Sequence, residues 1–297
     1  MKKRIGILGL SGHSVFLRLP HFHAEGETVT ASELFVEPGG KGYNQAVAAS
    51  RLGAEVVFLT CLGHDSFGVQ CMERLRTEGV HALPSYADRP TAFAAILTDD
   101  AGRNRVTVYP GASSCLSAQH VRQSRQALEE CDCLLLNLEC PLEALEAAVE
   151  IAEEKNIPII LNPAPTRDVP LELLRKCSLL IPNEQEASIL LGLSQRSSSE
   201  TLVQAVRKKA LMPMVITLGS RGALWVSEEG WEAVKACPVK AKDTTGAGDT
   251  FCAALTVQLA EHVPMIQALA FATHAAAWSV QHAYVLDGLP RREEIAR

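Results

Sequence analysis

Apolar residues fall in short runs spaced along the chain, each bounded by polar or glycine-containing turns. Residues 4–10 form the first. Val56 to Leu59, Leu134 to Leu138, Ile157 to Leu161, Leu179 to Ile181 and Val215 to Leu218 follow. Continuous apolar runs of this length suit strands buried on both faces. Helical patterns lie between them: Asn44 to Leu52 closed by Gly53, Val69 to Glu78 closed by Gly79, and Ser117 through Glu130. Another begins with Pro141 as its first helical residue, and Glu184 to Leu191 is a further one, with Ser197 to Ser199 as a helix-entry loop. Glycine just past a helix and proline at its start match what helix ends require. The βα alternation predicts an α/β fold with a mostly parallel central sheet, and the length allows one large domain or two small ones. Two stretches break the alternation. Residues 15–38 read as irregular, with short pieces at Thr28-Val29-Thr30 and Glu33 to Val36, while Thr91 to Leu97 and Arg105 to Tyr109 flank a hairpin turn at Asp99 to Gly102. Together, about 12–38 and 91–110 are expected to form a separate small β-sheet.

Near the C-terminus, Phe251, Leu255 and Leu259 recur at the spacing of an inward helix stripe. Gly246, Ala247, Gly248 and Asp249 therefore sit at a helix N-terminus. Free amides and the helix dipole favour an anion there, and glycines let the backbone approach it. An aspartate in a first helical turn is ordinarily just a favourable charge. Beside an anion hole, Asp249 can also accept a proton from an attacking hydroxyl. Glu139, Asn183 and the Thr217 to Gly219 segment all fall at the carboxyl ends of predicted strands, the edge where open α/β sheets bind ligands. Each alone reads equally well as a turn or cap residue.

Composition narrows the class. The chain has 297 residues, 47% hydrophobic and 21% charged, with a formal net charge of −6. That balance argues against nucleic acid or an anionic membrane surface as partner. The basic, apolar start imitates a signal peptide but is too short, and no run reaches membrane-spanning length. Nine cysteines without a Cys-x-x-Cys pair read as reduced thiols in a cytoplasmic protein. Gly6, Gly9 and Gly12 do not make a dinucleotide fingerprint, and Lys41 lacks the surroundings of a Walker A loop.

Asp243-Thr244-Thr245-Gly246-Ala247-Gly248-Asp249-Thr250-Phe251 resembles the C-terminal signature of the ribokinase, or PfkB carbohydrate kinase, family. Gly39-Gly40-Lys41-Gly42-Tyr43-Asn44-Gln45-Ala46 resembles its N-terminal one. The resemblance covers essentially the whole chain. It implies a single domain over residues 1–297, a ribokinase-like three-layer sandwich with a β lid that often builds a homodimer, and ATP-dependent phosphorylation of a primary hydroxyl on a sugar or sugar-like molecule. In this reading Asp249 is the base and Gly246, Ala247 and Gly248 form the hole. Ser14, Gly40, Lys41, Asn44 and Glu139 hold the sugar. Asn183, Thr217, Gly219, Ser220, Gly222, Gly248 and Thr273 hold the nucleotide, with His274 beside Thr273. Glu186 serves Mg²⁺ through water, and Asp243 and Thr245 are candidate K⁺ contacts.

Three departures bear on the substrate. Gly12 and Ser14 stand where ribokinases usually present Asn and Asp to sugar hydroxyls, and a serine cannot grip two hydroxyls as a carboxylate does. Tyr43 replaces a small residue and is expected to offer a ligand a stacking face. The turn at Ala283 to Gly288 differs from the Gly-Ala-like turn of K⁺-using members. A different sugar, a nucleoside kinase of the same family and a non-catalytic sugar or nucleotide sensor are the alternatives.

Overall fold

The computed structural model describes residues 2–193, 197–209 and 212–295. Two sheets are present. The strands of the larger are β1 (Arg4–Leu8), β4 (Glu55–Gly63), β5 (His81–Ala87), β8 (Cys133–Asn137), β9 (Ile159–Asn162), β10 (Leu179–Leu180), β11 (Met214–Thr217), β12 (Ala223–Val226) and β13 (Trp231–Val234). They lie in the order β13-β12-β11-β10-β9-β8-β1-β4-β5. All neighbours are parallel except β11–β12 and β12–β13.

The smaller sheet has the order β3-β2-β6-β7, from β2 (Gly12–Leu19), β3 (Glu33–Gly39), β6 (Ala92–Asp99) and β7 (Asn104–Tyr109). β2 runs antiparallel to β3 and parallel to β6. Residues 12–19 and 33–38 are thus regular, with β2 one unbroken eight-residue strand, while residues 20–32 between them are irregular as expected. Thr28 to Thr30, expected as a strand piece, are coil.

Helices α1 (Lys41–Arg51), α2 (Ser66–Thr77), α9 (Ala247–Ala260) and α10 (Met265–Ser279) share one core with the large sheet. The other face carries α3 (Ala118–Gln123), α4 (Arg125–Glu129), α5 (Leu142–Lys155), α6 (Leu171–Arg175), α7 (Glu184–Leu190) and α8 (Ser199–Lys209); α11 (Arg292–Ile295) ends the described chain. Strand residues alternate between the cores. Ile5, Ile7, Val56 and Phe58 join the first, and Leu8, Val57 and Leu59 the second. This is the doubly covered parallel sheet that the apolar runs predicted.

Local expectations shift in four places. Helix α1 starts at Lys41, three residues before Asn44. The helix expected from Ser117 to Glu130 breaks at Ser124, though Ser117 does cap it by accepting from the His120 amide at 3.2 Å. Pro141 is the N-cap of α5 and not its first helical residue. Helix α9 shows no single stripe: Asp249 through Gln258 are all buried, because α1 and α10 cover it from both sides.

β1 lies between β8 and β4, so chain order reverses on either side of it. Crevices open at the carboxyl ends of strands at such a switch point. β1 runs on through Gly9 to Ser11 into β2, which places the small sheet over that edge.

Candidate active site

Two cavities meet at the N-terminal turn of α9. One, of about 210 Å³, is lined by Ser14, Gly40, Lys41, Asn44, Glu139, Thr245, Gly246 and Asp249, with Phe93, Ile96, Val106 and Val108 of the small sheet above. The other, of about 370 Å³, is lined by Thr217, Gly219, Ser220, Gly222, Thr244, Ala247, Gly248, Phe251 and Thr273. The turn between them starts at Gly246, whose φ of 78° is the left-handed conformation that glycine tolerates. The amide of Ala247 donates to the Thr244 carbonyl at 3.3 Å and that of Thr250 to the Gly246 carbonyl at 2.9 Å. The amides of Gly248 and Asp249, between them, make no backbone hydrogen bond. They are the free donors of a helix start, on residues that line the larger and the smaller cavity in turn.

Asp249 is 6% exposed. Asn44 Nδ2 donates to its Oδ2 at 2.9 Å and Gln45 Nε2 to its Oδ1 at 3.3 Å. Gln45 is itself fixed in direction. Its Oε1 accepts from Asn137 Nδ2 at 3.3 Å, and its Nε2 also donates to Asn162 Oδ1 at 3.3 Å. Asn137 Nδ2 donates to the Leu8 carbonyl and Asn162 Nδ2 to the Ile181 carbonyl, so backbone groups at the sheet edge set the polarity of the whole relay. The same Asn137 accepts from the Glu139 amide at 3.1 Å. Glu139 Oε2 in turn accepts from the Lys41 amide at 2.8 Å. Burial raises the Asp249 carboxyl, while the Lys41 ammonium and the two side-chain donors pull it back. A base raised this way lies nearer neutral pH than a free aspartate, where general bases work best. Asn44 Oδ1 is buried without a partner and belongs to a side chain lining the smaller cavity. Such an acceptor calls for a ligand donor.

The residues read from sequence divide between these places. Ser14, Gly40, Lys41, Asn44, Glu139 and Asp249 converge on the smaller cavity; Thr217, Gly219, Ser220, Gly222, Gly248 and Thr273 converge on the larger. Thr273 spends its hydroxyl on the Leu269 carbonyl at 2.7 Å, so it offers the cavity little more than its shape. His274 is exposed and lines neither. Asn183 lines neither cavity. It caps α7 in a reciprocal pair with Glu186, accepting from the Glu186 amide and donating its own amide to Glu186 Oε2, each at 2.8 Å. Glu186 lines neither cavity either; its Oε2 is spent on the Asn183 amide, and Oε1 is the oxygen left for a water-bridged metal ion.

Tyr43 overturns the expected stacking face. It is fully buried in the core, and its hydroxyl has no partner there. Starting α1 at Lys41 turns position 43 inward. Several contributors were not read from sequence: Gln45, Asn137 and Asn162 in the relay, and the Ala236–Ala241 stretch that forms one wall of the larger cavity. Asn137 and Asn162 stand as polar residues at or near the ends of apolar runs, but nothing in the sequence joins them to Gln45 or Asp249.

A profile for the "pfkB family carbohydrate kinase" matches residues 14–292. The chain belongs to the PfkB family of carbohydrate kinases. Ribokinase of Haemophilus influenzae is 36% identical over 299 residues, covering 99% of this chain and 97% of that one. Ribokinase of Schizosaccharomyces pombe is 34% identical, with coverages of 98% and 96%. The structure of Arabidopsis thaliana ribokinase complexed with ribose and ATP superposes with a TM-score of 0.90 at 28% identity, covering 100% of this chain and 98% of that one. The PfkB chain is an ATP-dependent carbohydrate kinase with the ribokinase-like fold. No helix among the described residues is long and apolar enough to cross a membrane.

Burial has a measurable cost at this PfkB site. It pushes the Glu37 and Glu139 carboxyls up to about 7 and raises Glu186 and Asp249 as well. An acid raised on folding holds its proton in the folded chain after the unfolded chain has lost it. Stability therefore falls as pH rises from the unfolded value of about 4 to the folded one. His13, lowered by burial, opposes this below about 6.5, one group against four. The thermal midpoint of the ligand-free protein is expected to rise as pH is lowered from about 8 to about 5.5. A midpoint that drops steadily across that interval would mean these carboxyls ionise as freely as in water.

Proposed function

We propose that the chain transfers the γ-phosphoryl group of ATP to the primary hydroxyl of a ribose-type sugar, with Asp249 accepting the hydroxyl proton. The observation that carries this is the position of Asp249: a buried carboxylate on the one helical turn that walls both cavities, beside two free amides. ATP occupies the larger cavity. The Gly219 to Gly222 loop lets backbone approach it, and its phosphates reach the turn at Gly248. The sugar occupies the smaller cavity, its hydroxyls held by Asn44, Glu139 and Ser14, with Gly40 and Lys41 closing the floor. Asp249 and the amides of Gly248 and Asp249 then face the reacting oxygen and the transferred phosphoryl group from fixed positions, so little reorganisation is needed during transfer. Mg²⁺, held through water by Glu186, would neutralise phosphate charge.

Ribose is the sugar borne by the relatives, in name and in the Arabidopsis complex. With Tyr43 buried, the feature that favoured a nucleoside is gone. Nine free cysteines, seven of them buried, suit a reducing cytoplasm.

The outer face of the small sheet pairs Val15 with Val36 and Leu17 with Leu34. Leu34 and Val36 are exposed. We assign this face to a homodimer, and light scattering should give twice the monomer mass; a monomer at micromolar concentration would remove the assignment. The function itself is tested by ADP release with Mg-ATP across pentoses, hexoses and their derivatives. Ribose-dependent release supports the reading, and folded, ATP-binding protein that is silent on every acceptor overturns it.

A further inference from the structure

The family resemblance brought K⁺ to Asp243 and Thr245, and the residues do not fit it. Asp243 Oδ1 accepts from the Thr245 amide at 2.9 Å and its hydroxyl at 2.7 Å. Its Oδ2 accepts from the Tyr284 amide at 3.3 Å. K⁺ is held by oxygens that replace its hydration shell, carbonyls above all. Here the facing turn directs an N–H at the carboxylate, the opposite sign. Tyr284 has a φ of 63°, which fixes that orientation.

What holds the turn comes from elsewhere in the chain. Glu37, on strand β3 and 5% exposed, accepts from the Val285 amide at 2.7 Å and the Leu286 amide at 3.2 Å. Arg51, at the end of α1, donates from Nη1 to the Leu286 and Leu289 carbonyls at 2.6 and 2.7 Å. Glu78 holds Arg51 by two further bonds, at 2.9 and 2.7 Å. The Tyr284 ring stacks on Phe35 at 3.8 Å and meets Phe16 edge-on at 5.2 Å, both from the small sheet. The held turn backs the anion hole: a Cβ on Gly246 would lie 2.6 Å from Val285 Cγ1.

We infer that Glu37 is a positioning residue that fixes the 284–286 turn behind Gly246 from within the chain, so that phosphoryl transfer needs no monovalent cation. The inference rests on the kinase reading above. Bonds from one buried carboxyl group to two amides supply the order that a bound ion would otherwise give.

The test has two arms. In the first, the wild-type protein is compared in potassium, sodium and choline chloride at equal ionic strength. Turnover should agree within about twofold, and the thermal midpoint of the ligand-free protein should show no potassium-specific rise, since a ligand bound only to the folded state raises it. Activation by potassium of about tenfold, or a saturating rise in midpoint specific to potassium, overturns the inference. Protein inactive in every salt would count against the kinase reading, while the melting series would still decide on the ion. In the second arm, Glu37→Gln and Glu37→Ala should each lower kcat by about tenfold or more with KM for ATP nearly unchanged, the glutamine variant less than the alanine. Wild-type kcat in both would remove Glu37 from its role. Should neither variant fold, the salt series on the wild type remains decisive.

Discussion

Asp249→Asn is expected to lower kcat about a thousandfold while leaving the affinity for ATP within about twofold. The change is nearly isosteric and keeps the side chain in place. Its effect separates proton acceptance from packing. The amide cannot take the acceptor's proton, and it sets an NH₂ group against donors on Asn44 or Gln45. ATP affinity should survive because the residues proposed to hold the nucleotide, Thr217, Gly219, Gly222 and Gly248, line the other cavity. The check is kcat from ADP release alongside the Kd of ATP from calorimetry. A kcat within tenfold of wild type would show that the proton leaves by another route.

The second large effect is at Gly246. Alanine there must adopt a φ of 78°, which costs about 1 kcal/mol, and its Cβ would lie 2.6 Å from Val285. Either the turn or the Val285 segment must give way, and the amides of Gly248 and Asp249 then lose their aim. Loss of one donor of this kind typically costs about a hundredfold or more in kcat. Gly246→Ala is therefore expected to reduce kcat by about a hundredfold. Gly248→Ala makes the contrast, because its Cβ would meet nothing within 4 Å and the residue lines the larger cavity, proposed for ATP. It should act mainly on KM for ATP. Equal effects on both parameters in both variants would mean that the turn works only as a scaffold.

The parallel sheet was legible because strands buried on both faces must be apolar throughout, and Ile5 to Leu8 or Leu134 to Leu136 have no other use. The helix start at Gly246 was legible for a similar reason: glycines just ahead of an apolar run mark an N-terminus with free amides, and α9 begins there. Edge strands lacked such a mark. In β5 most residues are only half-buried and Pro84 interrupts the run, and β13 is mostly exposed, so neither carries a buried pattern. The relay of Gln45, Asn137 and Asn162 was illegible because each amide looks like a turn or strand-end residue until three distant elements meet. Glu37 shows the same limit most sharply, since its hydrogen-bonded partner Val285 is 248 residues away. Tyr43 was misread because a motif gives the residue's place in the chain and not the direction of its side chain.

The shared turn between the cavities also bears on inhibition. The two cavities, proposed for nucleotide and sugar, are separated by the width of one helical turn, from Gly246 to Asp249. A single molecule carrying both halves, joined by a short linker across that gap, would bind its second half intramolecularly. For short linkers the effective concentration is about millimolar, and the avidity gained can reach about a hundredfold or more over either half. The optimum linker length would report the distance across which the phosphoryl group travels.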